Sequence, residues 1–189
     1  MLLLHTNQKK KMNRKILSHY YYFALSILLV LVQVSCSPNY TNHSEEWKQE
    51  KIESLSTQYA RNYPDVRNIS AEELQKLQQQ EDVILVDVRT SEEMEVSMIM
   101  GAISRAEFER EQDKYKNYTI VPYCTIGNRS IAYAEQLQER GFNVFNFQGS
   151  ILSWTHVGGK LVNSTGITNR IHVSERKWEL AAENYQMVW

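Results

Sequence analysis

Cys124 sits in the stretch Tyr-Cys-Thr-Ile-Gly-Asn-Arg-Ser (Tyr123–Ser130), with four residues between it and Arg129 and a glycine among them. A thiol attacks only as the thiolate. A free cysteine's pKa of ~8.5 falls where backbone N–H groups and a helix N-terminus converge on the sulfur. The apolar run Thr119–Tyr123 leads into this loop, and a helical pattern beginning near Ser130 leads out, so the loop can form such a cradle. Gly127 permits the left-handed or close-approach backbone that the cradle needs. Arg129 adds a permanent positive charge that can hold the loop or an anionic substrate. The plainer use of Cys124 is as a small buried hydrophobe. The glycine, the arginine and the strand-to-helix position favour a nucleophile.

Other chemistry-bearing residues are sparse. Asp87-Val-Arg89 follows the apolar run Val83-Ile-Leu-Val86, where a strand end would present both charges. The histidines (His5, His19, His43, His156 and His172) show no metal-ligand spacing, and neither a metal nor a cofactor is expected. His156 and His172 read as surface or packing residues, because a thiolate held by amides needs no base. Trp154 reads as core. A net charge of -1 leaves no basic footprint for nucleic acid. Two cysteines, Cys36 and Cys124, make no disulfide scaffold.

These residues require elements to position them. Ser44-Glu-Glu-Trp-Lys opens a charged helix, expected to be exposed and to act as a spacer over 37–62. Ser70-Ala-Glu-Glu73 is a capping box for a helix to about Gln79. Val83–Val86 reads as a strand buried on both faces, and Ser91-Glu-Glu93 as the next helix start. Gly101-Ala-Ile and Thr119–Tyr123 are further strands, with Pro122 expected at an end or near an edge. A helix from Ser130 to Arg140 stops at Gly141, Asn143–Phe147 is a strand, and a last helix forms around Trp154. This alternation predicts an α/β fold with a mostly parallel sheet and helices on both faces. Ligands in such sheets lie beyond the carboxyl ends of the strands, where Cys124 falls.

The first residues are read as targeting rather than fold. Lys9-Lys10-Lys11, Arg14 and Lys15 precede the apolar run Phe23–Val32, then Gln33-Val-Ser-Cys36. A basic region, an apolar stretch and a small residue before a cut describe an export signal over 1–36, and a start at Met12 gives a more usual signal length. Cys36 after Ser35 resembles a bacterial lipoprotein cleavage site, although Gln33 departs from its aliphatic preference. Ile16–Val34 also approaches the ~20 residues of a membrane helix. A lipid anchor on Cys36, an uncleaved helix and free secretion all place the folded part in the cell envelope, in contact with the membrane or outside it.

The chain resembles the rhodanese (sulfurtransferase) family over about Tyr63 to Val162, giving one domain at 63–162 and a C-terminal extension at 163–189. "YPDVRNISAEEL" is similar to the family's opening segment, "ILVDVRTSEE" to its Asp-x-Arg motif, and "YCTIGNRS" to its six-residue active-site loop. "GFNVFNFQGSILSW" resembles the closing strand and helix, with Ser150 where the family usually has glycine. Ser97-Met-Ile-Met-Gly-Ala102 departs from the family's usual Gly-His-Ile-x-Gly-Ala. The resemblance implies that Cys124 accepts a sulfane sulfur from thiosulfate or a persulfide donor, holds it as a persulfide and passes it to a thiol or cyanide. The amides of Thr125, Ile126, Gly127, Asn128 and Arg129 would stabilise its charge, with Asp87 and Arg89 in support or simply paired. Thiosulfate enzymes of the family tend to have a more cationic loop, so a less charged donor such as a small persulfide is expected here. Cousins that act on phosphate or arsenate carry a loop longer by one residue. A catalytically silent binding module, or a redox sensor using the same thiol, are the alternative readings.

Overall fold

The computed structural model describes residues 43–80 and 82–189. The expectations for 1–36, including Cys36, lie outside the described residues. In chain order the elements are α1 (Glu45–Ala60), β1 (Asn68–Ile69), α2 (Ala71–Leu77), β2 (Val83–Asp87), α3 (Ser91–Val96), β3 (Met98–Ile99), β4 (Ile103–Ser104) and α4 (Arg105–Arg110). After these come β5 (Thr119–Tyr123), α5 (Asn128–Glu139), β6 (Asn143–Val144), β7 (Asn146–Phe147), α6 (Ser150–His156), β8 (Leu161–Asn163), β9 (Gly166–Thr168), β10 (Arg170–His172) and β11 (Gln186–Val188).

The order β4-β2-β5-β6 forms a parallel sheet. Neighbouring residues of its central strands point to opposite faces, as strand geometry requires. Leu85, Val121 and Tyr123 enter one apolar cluster with Ile52 of α1, Leu74 of α2 and Ile151 and Leu152 of α6. Val86 and Ile120 enter the other with Phe108 of α4 and Ile131, Ala134 and Leu137 of α5. Both faces are therefore covered, which explains why Val83–Val86 reads as an unbroken apolar run. β7 pairs with β1, and β3-β8-β9 is a separate antiparallel sheet. Asp87 lies opposite Tyr123 in register, so the Asp87 and Cys124 loops leave the same edge.

Several local expectations are corrected. The helix at 45–60 is not an exposed spacer, because Ile52 is 1% exposed and Lys48 and Ser56 are also buried. The C-terminal segment is part of the fold as well, with Ile171, Val173, Leu180, Ala181 and Tyr185 in the main cluster. Gly101 forms a left-handed turn at φ +84, and the strand expected there begins at Ile103. Pro122 lies inside β5, opposite Val86, while β6 pairs only with Thr119 and Ile120. A missing N–H is tolerated because the neighbouring strand has already turned away. The Asn143–Phe147 run divides at Phe145, its first part pairing β5 and its second β1.

Candidate active site

Helix α5 begins at Asn128, not Ser130, because Gly127 at φ +108 turns the chain directly into it. That early start brings the loop amides around the sulfur. The Gly127 N–H donates to Cys124 Sγ at 3.1 Å. From the far side, α6 grips the same loop: Ile151 N–H donates to the Cys124 carbonyl at 3.2 Å, and Leu152 N–H to the Thr125 carbonyl at 3.3 Å. With its carbonyls held outward, the loop turns N–H groups inward. Burial raises the Cys124 pKa, but the Arg129 charge and the amides of Ser130, Gly127 and Ile126 outweigh it. The thiol is lowered from its ordinary value.

Arg129 is held by Glu93. Its Nη1 donates to Glu93 Oε2 at 2.7 Å, and its Nη2 to Oε1 at 2.8 Å and to Thr125 Oγ1 at 3.0 Å. Thr125 Oγ1 donates to the same Oε1 at 3.0 Å, and Ser174 Oγ of the C-terminal segment does so at 2.9 Å. Glu93 Oε2 also accepts the Thr90 N–H at 3.0 Å, closing the capping box of α3. Burial alone would raise the Glu93 carboxyl. The hydrogen bonds from Arg129 and the Thr90 amide, the Arg129 charge and the Ser174 hydroxyl together bring it down to about 2. Glu93 is thus ionised, and the loop's arginine is a matched pair rather than a free cation.

Asp87 and Arg89 form a buried pair one strand away, with Arg89 Nη2 2.7 Å from Asp87 Oδ2 and 2.6 Å from the Ser97 carbonyl. Burial opposes the Arg89 charge, and Asp87 overcomes that to raise its pKa. The pair reaches the loop through Tyr123. The Arg89 guanidinium sits 5.8 Å from that ring, and the Tyr123 hydroxyl accepts the Ile99 N–H at 3.0 Å. Burial first, then the Asp87 carboxylate, push the Tyr123 phenol up and keep it neutral.

The structure brings Cys124, Thr125, Gly127 and Arg129 together and separates Ile126, whose side chain joins the apolar core. Asn128 is exposed. His156 takes no part in the loop's bonding network and instead contacts the Leu180 carbonyl at 2.8 Å and Glu45 at 3.2 Å. Trp154 packs edge-on against Phe147 in the core.

A family model described as a rhodanese-like domain matches residues 70–156. A sulfurtransferase of Allochromatium vinosum is 33% identical over 112 residues, covering 53% of this chain and 99% of that protein. The chain belongs to the rhodanese-like family. A putative sulfurtransferase of Bacillus subtilis is 31% identical over 96 residues, covering 48% of this chain and 91% of its own. A rhodanese-related protein of Thermoplasma volcanium, solved by crystallography, is 29% identical with a TM-score of 0.44, over 51% of this chain and 97% of that one.

Within this rhodanese-like domain, sequence reasoning missed Glu93, Ser130 and Ser150 at the site, and Ser174 beyond the matched residues. Glu93 reads in the sequence only as a helix-start acid. Its place three residues after Thr90 signals the cap, but nothing local signals Arg129. Ser150 stands out in the sequence as a serine following Gly149 at a turn, and the structure gives it φ +53.

Proposed function

We propose that this rhodanese-like domain is a sulfurtransferase with Cys124 as its sulfur carrier. The observation that carries the reading is the Gly127 N–H at 3.1 Å from Sγ, in a loop that lowers the thiol's pKa. The Cys124 thiolate attacks the outer sulfur of a donor R–S–SH. The S–S bond of the donor breaks, R–S⁻ leaves, and Cys124 holds the persulfide. An acceptor thiolate then attacks the outer sulfur, takes it as a new persulfide and returns the Cys124 thiolate. No oxidant or reductant is consumed.

The favoured donor is a small persulfide rather than thiosulfate. Arg129, the loop's own cation, is paired with ionised Glu93. That pairing offsets part of the charge a dianion would meet at the loop, and it matters less for a persulfide, whose S–SH group carries at most one negative charge. The test compares donors on the full-length protein by stopped-flow loading of Cys124. A persulfide donor should load faster than thiosulfate at equal concentration, and Cys124→Ser should load with neither. A preference for thiosulfate would overturn the charge argument.

We also propose a cell-envelope location, on the basic and apolar residues before Cys36. Membrane fractionation of cells expressing the wild type and Cys36→Ser tests it. Release of the variant alone supports lipidation of Cys36, retention of both supports a helical anchor, and soluble protein in the cytoplasm for both defeats the placement.

A further inference from the structure

Ser150 opens α6 with φ +53, in the left-handed region that a residue with a side chain seldom adopts. The position is buried to 0% exposure. Its hydroxyl accepts the Cys124 N–H at 3.1 Å, lies 3.9 Å from Cys124 Sγ and donates to the Phe147 carbonyl at 3.1 Å. On its other side Ser130 Oγ lies 3.4 Å away, and donates its own proton to Asn146 Oδ1 at 2.8 Å. Asn146 in turn donates to Asn68 Oδ1 at 2.8 Å. The Ser130 proton has Asn146 Oδ1 and the Gly127 carbonyl, at 3.3 Å, as acceptors, and of the two hydroxyls it is Ser150 whose proton can reach both the Phe147 carbonyl and the sulfur.

We propose that Ser150 is a positioning residue for the reacting sulfur: it fixes the Cys124 backbone through the amide and turns its proton to Sγ when the sulfur is charged. A neutral thiol is a weak acceptor, so the proton rests on the Phe147 carbonyl. A thiolate or persulfide anion is a charged acceptor, and charge-assisted hydrogen bonds are the stronger kind. The carbonyl of Phe147 loses a partner that the sulfur needs more. The left-handed backbone is what aims the hydroxyl at both the amide and the sulfur, since the turn at Gly149 and Ser150 faces the loop directly. Strain kept at such a position is typical of sites where geometry serves function. The inference builds on the Cys124 reading above and assigns the residue that holds that sulfur.

The test is the midpoint of thiolate formation in the full-length chain without any sulfur donor, followed by absorbance near 240 nm and corrected with the matching Cys124→Ser protein. Arg129, Glu93 and the Gly127 amide remain in place throughout. Ser150→Ala removes the hydroxyl, and Ser150→Gly removes it while suiting the positive φ. Both should raise the midpoint by about the same amount, about one to two pH units, as loss of one hydrogen bond to a charged group implies. An unchanged midpoint in folded Ser150→Gly would make the serine a structural feature and overturn the proposal. Failure of both variants to fold would do the same. A wild type that titrates as expected yet takes up no sulfur would defeat the sulfurtransferase reading and leave the role of Ser150 standing.

Discussion

Glu93 holds two tasks in one carboxylate, capping α3 through Thr90 and pairing with Arg129. Its pKa is depressed from 4.5 to about 2, so its contribution to stability is fully present above pH 4.5 and is lost as pH falls through about 2. Denaturant titrations of the wild type and Glu93→Gln between pH 7 and pH 2 should show the wild type's advantage shrinking across that window. Parallel curves would mean that the pair does not stabilise the fold. The same variant uncovers the Arg129 charge. The rate with thiosulfate relative to a persulfide donor should therefore rise, and a fall in that ratio would contradict the charge argument. Gly127 makes a separate point. A methyl group there would meet Gly149 N at 3.6 Å and Ser56 Cβ at 3.7 Å, which are ordinary contacts. The obstacle to Gly127→Ala is therefore φ +108 and not space. We expect a cost of about 1–2 kcal/mol in denaturant stability, with a larger fractional loss in sulfur loading as the N–H swings away from Sγ.

At the scale of elements, α1 separates what a sequence reveals from what it hides. The capping boxes at Ser70 and Thr90 are local, three residues from donor to acceptor, and the first was legible directly. The strand Val83–Val86 and the loop Cys124–Arg129 were legible for the same reason, since period and turn chemistry lie within a few residues. Burial of α1 is not local. Its sequence is rich in Glu, Gln and Lys; Ile52 enters the core and Leu55, Tyr59 and Ala60 adjoin it, and Ile52 meets the Gly149 turn nearly a hundred residues away. At that turn an added methyl group would lie 2.7 Å from Ile52 Cγ2. Ile52→Ala should cost about 2–5 kcal/mol by chemical denaturation, the range for a large-to-small change in a packed core. A change under about 0.5 kcal/mol, normal for a surface position, would restore the spacer reading. The division of Asn143–Phe147 was equally hidden, because one apolar run serves two different neighbours.

At the scale of the molecule, the elements outside the matched residues 70–156 complete the site rather than decorate it. Ser56 of α1 lies against Gly127, and Ser174 of the C-terminal segment donates to Glu93. Lys48 Nζ reaches both Glu45 at 2.7 Å and the Ala181 carbonyl at 3.3 Å, tying the two flanks together. Cys124 is only 2% exposed beneath this cover. Truncation after Asn163 removes Ile171, Val173, Leu180 and Tyr185 from the main cluster and should abolish a cooperative melting transition. An unchanged Tm would mean the segment is an appendix. Composition gave no warning of this, since the tail's apolar residues are spaced among polar ones and gain their meaning only from β10 pairing with β11.

The central claim is that Cys124 carries sulfur. Intact mass of the full-length protein after a persulfide donor, beside Cys124→Ser, tests it most directly. The account predicts a gain of one sulfur atom in the wild type, discharged by cyanide and absent from the variant. A folded wild type that gains nothing, or a variant that gains as much, would contradict it.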